Sequence, residues 1–175
     1  MRALVLESPG IEPRFAVHNV AEPVIGPKDV LVQVSACGIC YHDIAVMQGL
    51  LRRGVSPNII LGHEIAGTVI QRGPQVTTVQ LGDPVATILT DSCGSCDRCL
   101  QEREHRCLYG KGIGHSIPGG FAERVRVSEN SVVVLPQNLD LETSCILGCP
   151  IGVALEGLRD RAALQPGETC LVTGV

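Results

Sequence analysis

The sequence predicts a mainly β fold, a small barrel or sandwich with short helices, and three observations predict it. Short runs rich in Val, Ile and Leu recur along the first 135 residues. Gly (20) and Pro (11) fall between these runs and not in one tract, so turns separate many short strands. Aromatic residues make up only 2% of the chain while hydrophobic residues make up 45%, so an aliphatic core must hold the strands together. A length of 175 residues suits one domain with part of a second.

Taken in order, residues 2–6 and 30–34 read as strands, β-branched and bounded by Pro and Gly. Residues 65–70, 84–89, 122–127 and 132–135 read the same way. Gly26-Pro27, Gly73-Pro74, Gly82-Asp83 and Pro118-Gly119-Gly120 mark turns between them. The texture changes after Pro136. From 141 to 164 the apolar residues take helical spacing, and Gln165-Pro166-Gly167 stops the run. Residues 169–175 then form an apolar stretch running into Thr173-Gly174, as a dinucleotide-binding βαβ unit opens. The expected architecture is therefore a β domain over 1–143. Residues 144–175 would be a linking helix and the first strand of a truncated nucleotide-binding (Rossmann) domain.

The net charge of −4 and the absence of a basic run argue against a nucleic-acid partner, since the densest basic stretch, Arg103 to Arg106, is interrupted by Glu104 and His105. No segment approaches the length of a membrane span, and the start has no signal-peptide run. The expectation is a soluble, cytoplasmic protein with no membrane partner. Nine cysteines, an odd number, rule out complete internal disulfide pairing, and clustered thiols in a reducing compartment more often bind metal.

Cys93, Cys96, Cys99 and Cys107 lie in one loop, with two residues between each of the first three and seven before the fourth. Two-residue spacers let consecutive thiolates converge on one tetrahedral zinc, as in closed structural sites. An iron–sulfur cluster also takes four thiolates, but ferredoxin runs use shorter spacing and place Pro after the last Cys, whereas Leu108 stands here. Three further pieces could converge on a second metal: Cys40-Tyr41-His42-Asp43, Gly62-His63-Glu64, and Cys145 to Cys149. Spacing alone does not prove this. A lone His before a strand is more often structural, and cysteines on an apolar helix are usually core residues.

The ordered set Cys40-x-x-Asp43, Gly62-His63-Glu64, the four-cysteine loop and Cys149 resembles the zinc-containing medium-chain alcohol dehydrogenase family. Gly119-Gly120-Phe121-Ala122-Glu123 is similar to the segment that follows the loop in that family. The resemblance implies a GroES-like barrel and two zinc ions per chain. Cys40, His63 and Cys149 would hold a catalytic zinc with an open fourth position, and Cys93, Cys96, Cys99 and Cys107 a structural one. Glu64 matches a carboxylate behind the metal. Asp43 matches an acceptor that orients the His63 ring. His42 stands where many members carry Ser or Thr at the start of a proton relay; an imidazole can shuttle protons, or it can simply line the pocket. Cys37, Cys145 and Cys170 are left as spare thiols.

The implied activity is NAD(P)-dependent hydride transfer between alcohols and aldehydes or ketones, on a small-molecule substrate, in a protein that assembles as a homo-oligomer. The cofactor site would lie beyond residue 175, so the chain alone is expected to be inactive. Two other readings stay open: an enoyl or quinone reductase of the same superfamily, and a non-catalytic, zinc-stabilised binding module. Arg52-Arg53 could meet an anionic substrate group or form a solvated loop.

Overall fold

The computed structural model describes residues 1–173. Strands β1 (Arg2–Ser8) and β2 (Arg14–Asn19) form an antiparallel hairpin. Then come β3 (Asp29–Gly38), helix α1 (Tyr41–Met47), β4 (Glu64–Arg72) and β5 (Pro84–Thr87). Two short strands, β6 (Thr90–Asp91) and β7 (Lys111–Gly112), close the base of the cysteine loop. Strands β8 (Arg124–Ser128) and β9 (Val132–Val134) complete a five-stranded antiparallel sheet in the order β8-β3-β4-β5-β9. Bridges Ala3↔Ala122 and Val5↔Ile60 fold the β1–β2 hairpin against the rest, so the chain is a small, mainly β barrel-like domain.

The core is aliphatic, as the composition requires. Val30 and Val32 of β3, Ile65 and Val69 of β4, Val85 of β5, and Val125 and Val127 of β8 are buried in one cluster. β-Branched side chains pack well on a pleated surface, and alternate positions of neighbouring strands meet across it. A second cluster, Leu6, Val46, Ile59 and Leu61, seats α1 on β1.

Four stretches differ from the sequence expectation. Strand β2 was not anticipated, because five of its six residues are exposed and it carries no apolar alternation; pairing with β1 creates it. Helix α1 was also missed, since seven residues are too few for a periodic signal. The run over 141–164 is not one helix. It breaks into α2 (Leu141–Ser144), a 3-10 turn (Cys145–Leu147), α3 (Pro150–Leu155) and a π-type segment (Glu156–Arg161). Pro150 has no amide hydrogen to continue the first piece and instead starts the second, so the two are bent by 42°. Among the described residues, no single helix is long and apolar enough to cross a membrane. Residues 169–173, expected as a strand, pair with no strand among the described residues, and a strand is defined by that pairing. Gly174 and Val175, the close of that expected motif, lie outside the described residues.

Candidate metal centres

Sheet register assembles the first centre. In the β3–β4 pair Gly38 lies opposite Glu64, so the chain leaving β3 and the chain entering β4 run side by side. Cys40, at the N-cap of α1, thereby comes beside His63. Cys149 arrives at the bend between the 3-10 turn and α3. Its sulfur is 3.9 Å from that of Cys40. One donor atom from each of Cys40, His63, Glu64 and Cys149 lies within 4.8 Å of the others. Residues more than one hundred positions apart thus converge as the family resemblance implied.

Two residues hold this geometry. Gly62 has φ +89°, a left-handed conformation that side chains disfavour, and a Cβ there would lie 2.6 Å from Cys37 Sγ and from the Phe121 ring. Asp43 has no exposed surface. Its Oδ2 accepts from the Cys40 amide at 2.9 Å and its Oδ1 from the Gly62 amide at 3.1 Å. The His63 Nδ1 lies 3.7 Å from Asp43 Oδ1, longer than a hydrogen bond. Asp43 therefore ties down the backbone on both sides of the site, and its grip on the His63 ring is electrostatic.

The donor set suits a cation. Burial pushes the Cys149 thiol up to about 12, and the neighbouring Cys40 and Glu64 push in the same direction. Negative groups crowded in a buried place resist ionisation, and a bound cation reverses that logic. His63 and Glu64 are both buried.

The second centre is the cysteine loop. Sulfur separations are 3.9 Å for Cys93–Cys99, 3.6 Å for Cys96–Cys99, 3.9 Å for Cys96–Cys107 and 3.5 Å for Cys93–Cys107. A tetrahedron with zinc–sulfur bonds of about 2.3 Å has edges of about 3.8 Å. A disulfide would require about 2.05 Å, and all nine cysteines are free. The spacing fits one tetrahedral ion and no disulfide. The loop also supplies donors to its sulfurs. The Ser95 amide and hydroxyl bring the Cys93 thiol down to about 6, and the Leu108 amide leads the donors that lower Cys96. Burial raises Cys99 to about 12.

The remaining thiols stand apart from both sets. Cys37 packs against the core with its thiol raised by burial, Cys145 is buried with its sulfur 3.1 Å from the Glu142 carbonyl, and Cys170 is exposed. Arg52 is exposed and bonds the Gly49 carbonyl. His42 lies edge-on to His63 with ring centroids 5.1 Å apart, and its Nε2 is 3.1 Å from His115 Nδ1. His115 was missed at the sequence level, because nothing in its spacing connects it to residues more than fifty positions earlier.

The alcohol dehydrogenase GroES-like domain family matches residues 26–137. An acryloyl-coenzyme A reductase of Sulfurisphaera tokodaii is 30% identical over 174 residues, covering 99% of this chain and 51% of that protein. An alcohol dehydrogenase of Geobacillus stearothermophilus is 33% identical over 176 residues, covering 100% and 51%. A cobalt- and zinc-bound thermostable alcohol dehydrogenase from Pyrobaculum aerophilum superposes with a TM-score of 0.80 at 32% identity, covering 96% of this chain and 50% of that one. The chain spans about half the length of the curated relatives it matches.

Proposed function

Because this chain belongs to the zinc-containing medium-chain alcohol dehydrogenase family, through its GroES-like domain, we propose that it is the catalytic part of a zinc- and NAD(P)-dependent oxidoreductase interconverting alcohols and aldehydes or ketones. The observation that carries this reading is the convergence of Cys40, His63, Glu64 and Cys149 beside, and separate from, a four-thiol set. A purely structural role would need only the second.

We assign one zinc to Cys40, His63 and Cys149 and one to Cys93, Cys96, Cys99 and Cys107. When bound at the first site, zinc supplies Lewis acidity to an alcohol or carbonyl oxygen. The chain's own residues do the rest. Asp43 fixes the positions of Cys40 and His63 through the two amides it binds. Glu64 adds a buried carboxylate behind the sulfur ligands. His42, edge-on to His63, would stand at the edge of this site. We place the catalytic domain at 1–143 and read 144–175 as the link to a nucleotide-binding domain. No strand–glycine–helix phosphate site occurs among the described residues, so the nicotinamide site is assigned outside them. A reducing, cytoplasmic setting suits nine unpaired thiols.

Elemental analysis of the 175-residue chain purified without chelators tests the reading. Two zinc ions per chain are expected, falling to one in Cys149→Ser. A single ion in the unaltered chain would favour a structural role. Joined to a nucleotide-binding domain, the protein should oxidise alcohols with NAD(P). Activity on acryloyl-coenzyme A alone would favour the enoyl reductase reading instead.

A further inference from the structure

One cluster of side chains outside the two cysteine sets has hydrogen-bond geometry that decides its protonation pattern. His115 Nε2 lies 3.0 Å from the Arg53 carbonyl oxygen. A carbonyl only accepts, so this nitrogen carries a hydrogen. Neutral His115 then presents a bare Nδ1, and His42 Nε2 is 3.1 Å away. His42 Nε2 must therefore be the donor. That leaves His42 Nδ1 as a bare acceptor, and it is sealed from solvent with no partner among the described residues. Buried polar atoms nearly always have partners, but this one lacks a partner and has no open surface for an incoming group. Asp43 cannot partner it, because a carboxylate is an acceptor too and already binds two amides. A ring nitrogen of His42 lies within 4.8 Å of donor atoms of His63 and Asp43, at the edge of the first metal centre.

The support beneath His115 is firm. The Ser56 amide donates to the His115 carbonyl at 2.9 Å, and the Ser56 hydroxyl to the Ser116 carbonyl at 2.8 Å. These bonds lock the loop carrying Arg53 to the turn carrying His115. The imidazole is thus held at both nitrogens.

We propose that His115 is a positioning residue of the first metal centre: it holds His42 in the Nε2–H tautomer and so keeps a bare Nδ1 packed at the edge of that centre. This rests on the metal-site reading above.

Nitrogen-15 NMR of the zinc-loaded 175-residue chain reads the tautomer directly. His42→Gln identifies the His42 signals. The expected result is a protonated Nε2 and bare Nδ1 for His42 in the unaltered chain. In His115→Ala that single tautomer should be lost. In His115→Asn, whose side-chain oxygen can accept from His42 Nε2, it should return. An Nδ1–H tautomer in the unaltered chain, or a His42 signature indifferent to His115→Ala, would overturn the inference. Zinc content measured on the same samples separates this from the metal-site reading. Two ions with the wrong tautomer would sink only the role of His115, and the right tautomer without zinc would sink only the metal assignment.

Discussion

Asp43 accepts the amides of Cys40 and Gly62 from a position with no exposed surface, and so it joins the two loops that carry the candidate ligands Cys40 and His63. Removing such a support typically lowers metal affinity about 10- to 100-fold. Asp43→Ala should therefore weaken zinc at the Cys40/His63/Cys149 site by roughly that factor while the four-thiol zinc stays, as competition with a graded chelator would show. Equal loss from both sites would mean that Asp43 supports the whole fold and not this site. The aspartate was legible in sequence through its place three residues after Cys40. Its actual partners were not, because both are backbone groups, one at the N-cap of its own helix and the other, at Gly62, brought near by the β3–β4 pairing.

Two elements invite separate tests. The cysteine loop is fastened to the barrel through β6, where Asp91 accepts the Ser128 amide at 2.6 Å and the Thr90 carbonyl accepts the Ser131 hydroxyl at 2.9 Å. Because structural zinc contributes its binding free energy to folding, Cys96→Ser should release one of two zinc ions and lower the thermal midpoint. An unchanged midpoint at full zinc occupancy would count against a structural role. Between Ser128 and Ser131 in the chain, buried Glu129 accepts the Thr77 amide, the Thr78 amide and the Thr78 hydroxyl. Burial opposes its ionisation, but these donors outweigh that cost and the carboxyl sits below its usual range. A folded pKa below the unfolded one stabilises the fold above the unfolded value, about 4.3, and the gain is lost as pH falls through the folded value. Glu129→Gln should cost about 2 kcal/mol at pH 7, and the difference from the unaltered chain should shrink below about pH 4. Urea titrations at the two pH values measure this; a constant difference would discard the account.

At the scale of the whole molecule, the described residues carry a folded β domain and both candidate metal centres, but no phosphate-binding turn. The 175-residue chain should accordingly fold around two zinc ions and show no useful affinity for NADH or NADPH in calorimetric titration. Tight cofactor binding would mean that the nucleotide site has been misplaced. The sequence by itself determined the aliphatic β domain, because β-branched runs and turn residues act locally and leave a local trace. It also determined the four-thiol loop, whose ligands share one short stretch of chain. Strand β2, the break at Pro150 and the pairing of His42 with His115 were decided only in three dimensions. β2 forms because β1 lies beside it, and Pro150 both ends one helical piece and begins another. His115 meets His42 because the Ser56 bonds fold its turn over α1. The catalytic set lies between these cases. Its residues are recognisable as an ordered pattern, but their convergence depends on the register that sets Gly38 opposite Glu64, and register is a property of two strands together.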